Sequence, residues 1–196
     1  MWRWLLALML FAWTAPAMAQ AEPSNPVRVR LVTSLGAIVI EVDQARAPIT
    51  AANFLRYVDG RRLDGMEFYR AMKTGPGTGL VQGGVRDGNK LFPPIAHEPT
   101  SQTGLSHVDG AVSVPRFAPG TAQGDFTIMV GDQLYLDAGP RSGRDGLGSA
   151  VVRKVVEGME IVRQILEAPT SPTEGEGVLR GQMLDPRIRI VTARRI

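Results

Sequence analysis

The sequence has no cysteine, only two histidines among its 196 residues, and a small net charge. The absence of cysteine excludes a disulfide scaffold and any zinc or iron–sulfur site with cysteine ligands. Formal net charge is only +3, and no run of about five basic residues occurs, so the sequence lacks the basic patch that nucleic-acid binding requires. We expect no nucleic-acid partner.

Long apolar runs are also missing, since none reaches the ~20 residues of a membrane-spanning helix. The run Leu5–Trp13 follows Arg3 and precedes Ala17 and Ala19, which stand in the small-x-small spacing of a cleavage site. This order is typical of a secretory signal peptide. An uncleaved membrane anchor is the alternative, and the shortness of the run disfavours it.

The chain divides accordingly into three predicted parts. Residues 1–19 are predicted to be the signal peptide, residues 20–26 a polar, proline-bearing tether, and residues 27–196 the folded domain. The predicted location is the periplasm of a bacterium, with no stable membrane insertion after cleavage. Nothing in the sequence requires more than a monomer.

The folded part is rich in glycine (22) and proline (14) and is 44% hydrophobic, which favours a turn-rich β protein with a packed core. Residues 27–31 and 188–191 alternate apolar and polar side chains, as half-buried strands do. Amphipathic helices are predicted near residues 47–60 and 158–166. The pattern indicates a mainly β fold: one antiparallel sheet closed on itself and capped by two α-helices.

Most familiar catalytic motifs are absent. The sequence has no G-x-S-x-G nucleophile motif, and the glycines of residues 75–79 lack the spacing of a phosphate-binding loop. His97 and His107 stand alone in polar segments, so both are predicted to be solvent-exposed, and no metal site or cofactor is expected. Asp132 and Asp137 are predicted to be surface carboxylates.

The informative segment is Phe68-Tyr69-Arg70, followed by Leu80-Val81-Gln82-Gly83-Gly84. A guanidinium is a permanently charged, rigid fork of donors. Held over an apolar floor, it can bond to a substrate amide without proton transfer. A structural ion pair is the competing interpretation of Arg70, and these residues alone leave both open.

Six blocks of the chain, in order, resemble the cyclophilin family of peptidyl-prolyl cis–trans isomerases. They are residues 35–41, 47–54, 68–70, 81–84, 126–137 and 156–162. The resemblance covers about residues 27–191 and implies a closed eight-stranded antiparallel barrel capped by two α-helices. It also implies isomerisation of X–Pro bonds in proline-containing polypeptides, here those of exported proteins.

The resemblance implies a set of site residues. Arg70 takes the catalytic position, and the implied substrate-binding residues are Leu80, Gln82, Pro115, Arg116, Asp125, Phe126, Thr127, Tyr135 and Leu136. No metal, cofactor or covalent intermediate is implied.

Some positions depart from the family pattern. Tyr69 stands in place of His, Gly79 in place of a pocket Phe, Asp125 in place of a peptide-contacting Gln, and Thr127 in place of the Phe that floors the proline pocket. A shallower, more polar proline site is therefore predicted. These departures leave a second interpretation open: a cyclophilin-like peptide-binding or chaperone module with weak or no isomerase activity.

Overall fold

The computed structural model describes residues 26–143 and 145–196. The predicted signal peptide and residues 20–25 of the tether lie outside this range. The described residues form nine strands and three helices. The strands are β1 (Val27–Thr33), β2 (Gly36–Val42), β3 (Glu67–Gly75), β4 (Thr78–Gly84), β5 (Ala111–Val114), β6 (Asp125–Val130), β7 (Ala150–Glu157), β8 (Thr170–Ser171) and β9 (Met183–Arg195). The helices are α1 (Pro48–Asp59), α2 (Thr100–Thr103) and α3 (Met159–Glu167).

Eight of the strands close into the predicted barrel. Their order is β1-β2-β7-β5-β6-β4-β3-β9, and antiparallel pairing of β1 with β9 completes the ring. The two-residue β8 lies outside the ring, paired with β9. The alternation of apolar and polar side chains in residues 27–31 matches the two faces of β1. Val29 and Leu31 point inward and are fully buried, while Arg28 and Arg30 are exposed.

The two predicted helices pack their apolar sides onto this barrel. Helix α1 begins at Pro48, where the missing N–H costs nothing. The free backbone N–H groups of its first turn find their acceptor in a loop distant in sequence. The buried carboxylate of Glu98 accepts hydrogen bonds from the N–H of Ile49 (3.1 Å) and of Thr50 (2.6 Å). A carboxylate there also complements the positive end of the helix dipole.

Helix α3 follows a tight junction at Gly158, which adopts φ 87°. A Cβ at this position would lie 2.3 Å from the carbonyl oxygen of Ala37, so the close approach of α3 to β2 requires glycine. Val162, Ile165 and Leu166 then enter the core. The third helix, α2, is a single turn.

Inside the barrel, Phe126 packs edge-on against Phe54 of α1 (centroids 5.8 Å apart) and Phe68 of β3 (5.5 Å). Such contacts contribute about 0.5–1.5 kcal/mol each beyond burial. This cluster fixes β3 and β6 relative to each other, and the outward-facing residues of those strands build the candidate site. None of the helices in the described ranges has the length and hydropathy that a bilayer crossing requires.

Candidate active site

A β-bulge places two consecutive residues of β3 on the outer face of the barrel. Phe68 pairs with Gly83 and Arg70 pairs with Gln82, so Tyr69 is an extra residue in β3. Phe68 is fully buried in the core, whereas the polar ends of Tyr69 and Arg70 both reach groups outside it. A bulge re-aims side chains in this way, which regular alternation would not allow.

The guanidinium of Arg70 is held by uncharged groups. Nε donates to Oε1 of Gln182 (2.8 Å), Nη1 donates to Oε1 of Gln82 (2.9 Å), and Nη2 lies 3.2 Å from the sulfur of Met72. Burial lowers the pKa of Arg70 from its ordinary value, although a guanidinium keeps its charge at neutral pH. Among the described residues Arg70 has no carboxylate partner, so the structural ion pair left open by the sequence does not form there.

Gln82 is itself oriented by a partly buried network of hydrogen bonds. Its Nε2 donates to the phenolic oxygen of Tyr69 (2.7 Å) and to Oδ2 of Asp125 (3.2 Å), and the Tyr69 hydroxyl donates to the same carboxylate oxygen at 2.6 Å. Desolvation raises the pKa of Asp125, and desolvation together with the Asp125 charge raises the pKa of Tyr69. Because Nε2 is fixed at one end, the carbonyl end of Gln82 must face Arg70.

Arg70 and Gln82 line a cavity of about 520 Å³. Three other predicted substrate-binding residues, Pro115, Arg116 and Asp125, line it too. The remaining wall includes Tyr69, Val85, Arg86, Leu91, Phe117, Thr121, Gln123, Gly124, Leu179 and Met183. The structure thus brings five of the ten predicted site residues to one hollow.

Arg116 contributes to the wall of the cavity while its guanidinium is engaged elsewhere. It makes two bonds to the carboxylate of Asp145 (2.7 and 2.9 Å) and one to the carbonyl oxygen of Gly148 (2.9 Å). These contacts fasten Asp145 and Gly148 beside the cavity. The Arg116 pairing also lowers the pKa of Asp145.

Leu80 and Leu136 lie outside this cavity, in an apolar cluster next to Arg70. Leu80 is buried with Met129 and Leu105, and Leu136 and Met72 pack against the same cluster from its partly exposed side. Since Met72 contacts the Arg70 guanidinium, the arginine stands between the cavity and this apolar surface.

The other three predicted residues differ in exposure. Tyr135 is 41% exposed and close enough for the charge of Arg70 to lower its pKa, although burial outweighs this and raises that pKa overall. Thr127 is buried, with its hydroxyl 3.4 Å from the carbonyl oxygen of Ser113. Phe126 faces the barrel core, where its contribution to the site is to anchor the strand that carries Asp125 and Thr127.

The departure at Gly79 has a geometric cause. Gly79 adopts φ +154°, and a Cβ there would lie 2.0 Å from the carbonyl oxygen of Met72 on the paired strand. No side chain fits between β3 and β4 at this point. The backbone itself therefore requires glycine at this position, and the shallower proline site stays a prediction.

The prediction that His107 is a solvent-exposed loop residue is wrong. His107 is fully buried, with Nδ1 2.6 Å from Oδ1 of Asp137 and Nε2 2.9 Å from the hydroxyl of Ser113. The Asp137 carboxylate also accepts bonds from the backbone N–H of His107 and the hydroxyl of Ser106. Pairing at both ring nitrogens offsets the cost of burial, and the cluster ties the turn of residues 134–136 to β5.

Sequence reasoning missed several groups at the site. Gln182 lies 112 positions from Arg70 and carries no motif, and only the pairing of β9 with β3 brings it there. Arg86 lies over the ring of Tyr69, with its guanidinium carbon 4.8 Å from the ring centroid. A contact of this kind between separate segments leaves no signal in a single sequence.

Comparison with known proteins agrees with the barrel fold. Residues 28–194 match the family model for the cyclophilin-type peptidyl-prolyl cis–trans isomerases. Peptidyl-prolyl cis–trans isomerase A of Dickeya dadantii is 32% identical over 160 residues, which cover 80% of this chain and 78% of the relative. A peptidyl-prolyl cis–trans isomerase of Acinetobacter baylyi is 34% identical over 148 residues, 73% of each chain.

Solved structures show the same fold. The crystal structure of a Cryptosporidium parvum cyclophilin-type isomerase superposes with a TM-score of 0.67 at 17% identity, covering 88% of this chain and 98% of that one. A second structure of that protein, obtained in the presence of the dipeptide Ala-Pro, gives a TM-score of 0.63 over 85% and 97% of the two chains. The chain belongs to the cyclophilin-type peptidyl-prolyl cis–trans isomerases.

Proposed function

We propose that the protein isomerises X–Pro bonds of exported polypeptides by a non-covalent mechanism in which Arg70 supplies the decisive interaction. The observation that carries this proposal is the Arg70 guanidinium, charged, held in place by two amide oxygens, and bordered by apolar surface. No cofactor takes part in the proposed reaction.

The barrier to be lowered comes from the partial double bond of the amide, about 18–20 kcal/mol. In the twisted state conjugation is lost, and the imide nitrogen becomes pyramidal and able to accept a hydrogen bond. A donor that is already oriented favours the twisted state over either planar isomer, which is the condition for a higher rate. Arg70 meets this condition because Gln82 and Gln182 fix its plane and leave donors on Nη1 and Nη2 for the substrate.

The proline ring needs an apolar surface beside that donor. Met72 and Leu136, partly exposed over buried Leu80, provide it in this proposal, with Tyr135 at its outer edge. The residues before the proline then extend across Gln82 into the cavity, towards Pro115 and Asp125. The Ala-Pro dipeptide present with the Cryptosporidium relative is consistent with a short proline peptide as the minimal substrate.

An exchange of Arg70 tests the mechanism. In a protease-coupled assay with a proline tetrapeptide, Arg70→Ala should lower kcat/KM by roughly 10²-fold while the melting temperature changes little. Arg163→Ala, which removes a surface pair with Asp109 outside the cavity, is the matched control and should keep full activity. Equal, negligible rates in wild type and Arg70→Ala, with retained peptide binding, would instead support a peptide-binding module.

Export is the second part of the proposal and rests on residues 1–19. When the full chain is produced in a Gram-negative host, osmotic shock should release a monomeric protein whose N-terminus is Gln20. A protein that keeps Met1 and stays with the cytosolic fraction would contradict export, and light scattering that reports a dimer would contradict the monomer.

A further inference from the structure

The second glutamine at Arg70 has no role in the sequence motifs that identify the site. Gln182 lies in the segment between the turn of residues 177–179 and strand β9. Its carbonyl oxygen Oε1 accepts the Nε proton of Arg70 at 2.8 Å, and its amide Nε2 donates to the backbone carbonyl of Val178 at 2.7 Å. We propose that Gln182 is a positioning residue of the isomerase, which sets the orientation of the Arg70 guanidinium. This inference rests on the proposed role of Arg70.

The amide of Gln182 has one permitted orientation. Rotating it by half a turn would place its NH₂ group against the Nε proton of Arg70 and its oxygen against the carbonyl of Val178. Both contacts would be repulsive, because each would oppose two donors or two acceptors. The backbone of Val178 therefore determines that Oε1 of Gln182 faces Arg70.

Backbone hydrogen bonds also hold Gln182 next to Arg70. Its carbonyl oxygen accepts the N–H of Ala71 at 2.9 Å, directly after Arg70, and its N–H donates to the carbonyl of Leu179 at 3.0 Å. The next residue, Met183, pairs with Arg70 in the β3–β9 ladder. The side chain thus projects from a backbone position that strand pairing fixes beside Arg70.

Gln82 and Gln182 hold different nitrogens of one guanidinium. One hydrogen bond leaves a planar group free to swing about that bond, whereas two bonds to Nη1 and Nε define its plane. Both acceptors are neutral amides. A carboxylate in either place would form an ion pair with the guanidinium and offset its positive charge. The two neutral amides therefore orient Arg70 without neutralising it.

Kinetics separate this role from a merely structural one. Gln182→Leu removes the acceptor with little change in volume, and we expect kcat to fall about tenfold, with KM and melting temperature nearly unchanged. The control is Glu174→Ala, which breaks the 3.0 Å contact of Glu174 with Arg187 in the same segment and does not touch Arg70. This control should keep wild-type kcat.

A spectroscopic measurement reports on the same contact without turnover. The ¹⁵Nε–¹H signal of Arg70, assigned by its loss in Arg70→Lys, should exchange slowly with solvent in the wild type and in Glu174→Ala, and rapidly in Gln182→Leu. Wild-type kcat and slow exchange in Gln182→Leu would overturn the inference, as would equal losses in Gln182→Leu and Glu174→Ala. Full activity of Arg70→Ala would overturn the proposed mechanism instead, so the two failures are distinguishable.

Discussion

The hydroxyl of Tyr69 donates to the partly buried carboxylate of Asp125 at 2.6 Å, and the same carboxylate oxygen accepts a hydrogen bond from the amide of Gln82. Tyr69 and Asp125 are 56 residues apart and lie on separate strands, β3 and β6. Both positions depart from the family pattern. Their contact indicates that the two departures belong together: Tyr69 supplies a donor to the partly buried carboxylate of Asp125.

Removing the Tyr69 hydroxyl should therefore destabilise the protein. Tyr69→Phe leaves Oδ2 of Asp125 with the longer bond from Gln82 alone, and we expect the free energy of unfolding in urea to fall by about 1–3 kcal/mol. In an Asp125→Asn background the same exchange should cost less, because it leaves no charge unpaired. An equal cost of Tyr69→Phe in both backgrounds would show that the contact with the Asp125 charge has no energetic importance.

The charge of Asp125 should make stability depend on pH. Burial raises the pKa of Asp125 above its ordinary 3.8, so the folded protein binds this proton more tightly than the unfolded chain does. The contribution of Asp125 to stability consequently falls as the pH rises through the window above 3.8. Asp125→Asn should be more stable than wild type near neutral pH, and the difference should shrink as the pH approaches 3.8. A constant difference across urea titrations in that range would contradict the assignment.

His107 predicts a dependence of opposite sign. Burial lowers the pKa of His107 below its ordinary 6.5, although the hydrogen bond and charge of Asp137 oppose this. Below about pH 6.5 the unfolded chain takes up a proton that the folded protein does not, so stability decreases as the pH falls. His107→Gln should be less stable than wild type at about pH 8, by about 1–3 kcal/mol, because groups of Asp137 and Ser113 lose their partner. Its stability should then change less between about pH 8 and pH 5.5, which urea midpoints at both pH values can measure.

Gly79 is expected to tolerate no side chain. Gly79→Ala places a Cβ against the carbonyl oxygen of Met72 in a backbone conformation that L-residues avoid, and should lower the free energy of unfolding by about 1–3 kcal/mol or more. Gly88→Ala is the matched control, because a Cβ there meets nothing within 4 Å. Equal stability of the two variants would mean that β3 and β4 can separate without cost.

The sequence predicted the fold well because its signals are local. The alternation in β1, proline at the start of α1 and the apolar side of α3 each act within a few residues, and the family resemblance supplied their arrangement. Arg70, Gln82, Pro115, Arg116 and Asp125 were also predicted, and they line one cavity. Their roles in catalysis and binding stay predictions.

The features that the sequence did not predict depend on contacts between residues far apart in the chain. His107 was expected in solvent because Asp137, which pairs with its Nδ1, is 30 positions away in the chain and is its neighbour only in the folded protein. Gln182 meets Arg70 through the β3–β9 pairing. Glu98 has the sequence context of an ordinary acidic loop residue, but it is buried at the start of α1.

Strand β9 has a consequence for the order in which function can arise during synthesis. It closes the ring against β1, and the segment leading into it brings Gln182 and Met183 beside Arg70. A nascent chain that still holds residues 183–195, the whole of β9, inside the ribosome has neither a closed barrel nor the pairing of Met183 with Arg70. Activity that depends on Arg70 therefore cannot arise before β9 has emerged, and a product cut before Gln182 would lack it.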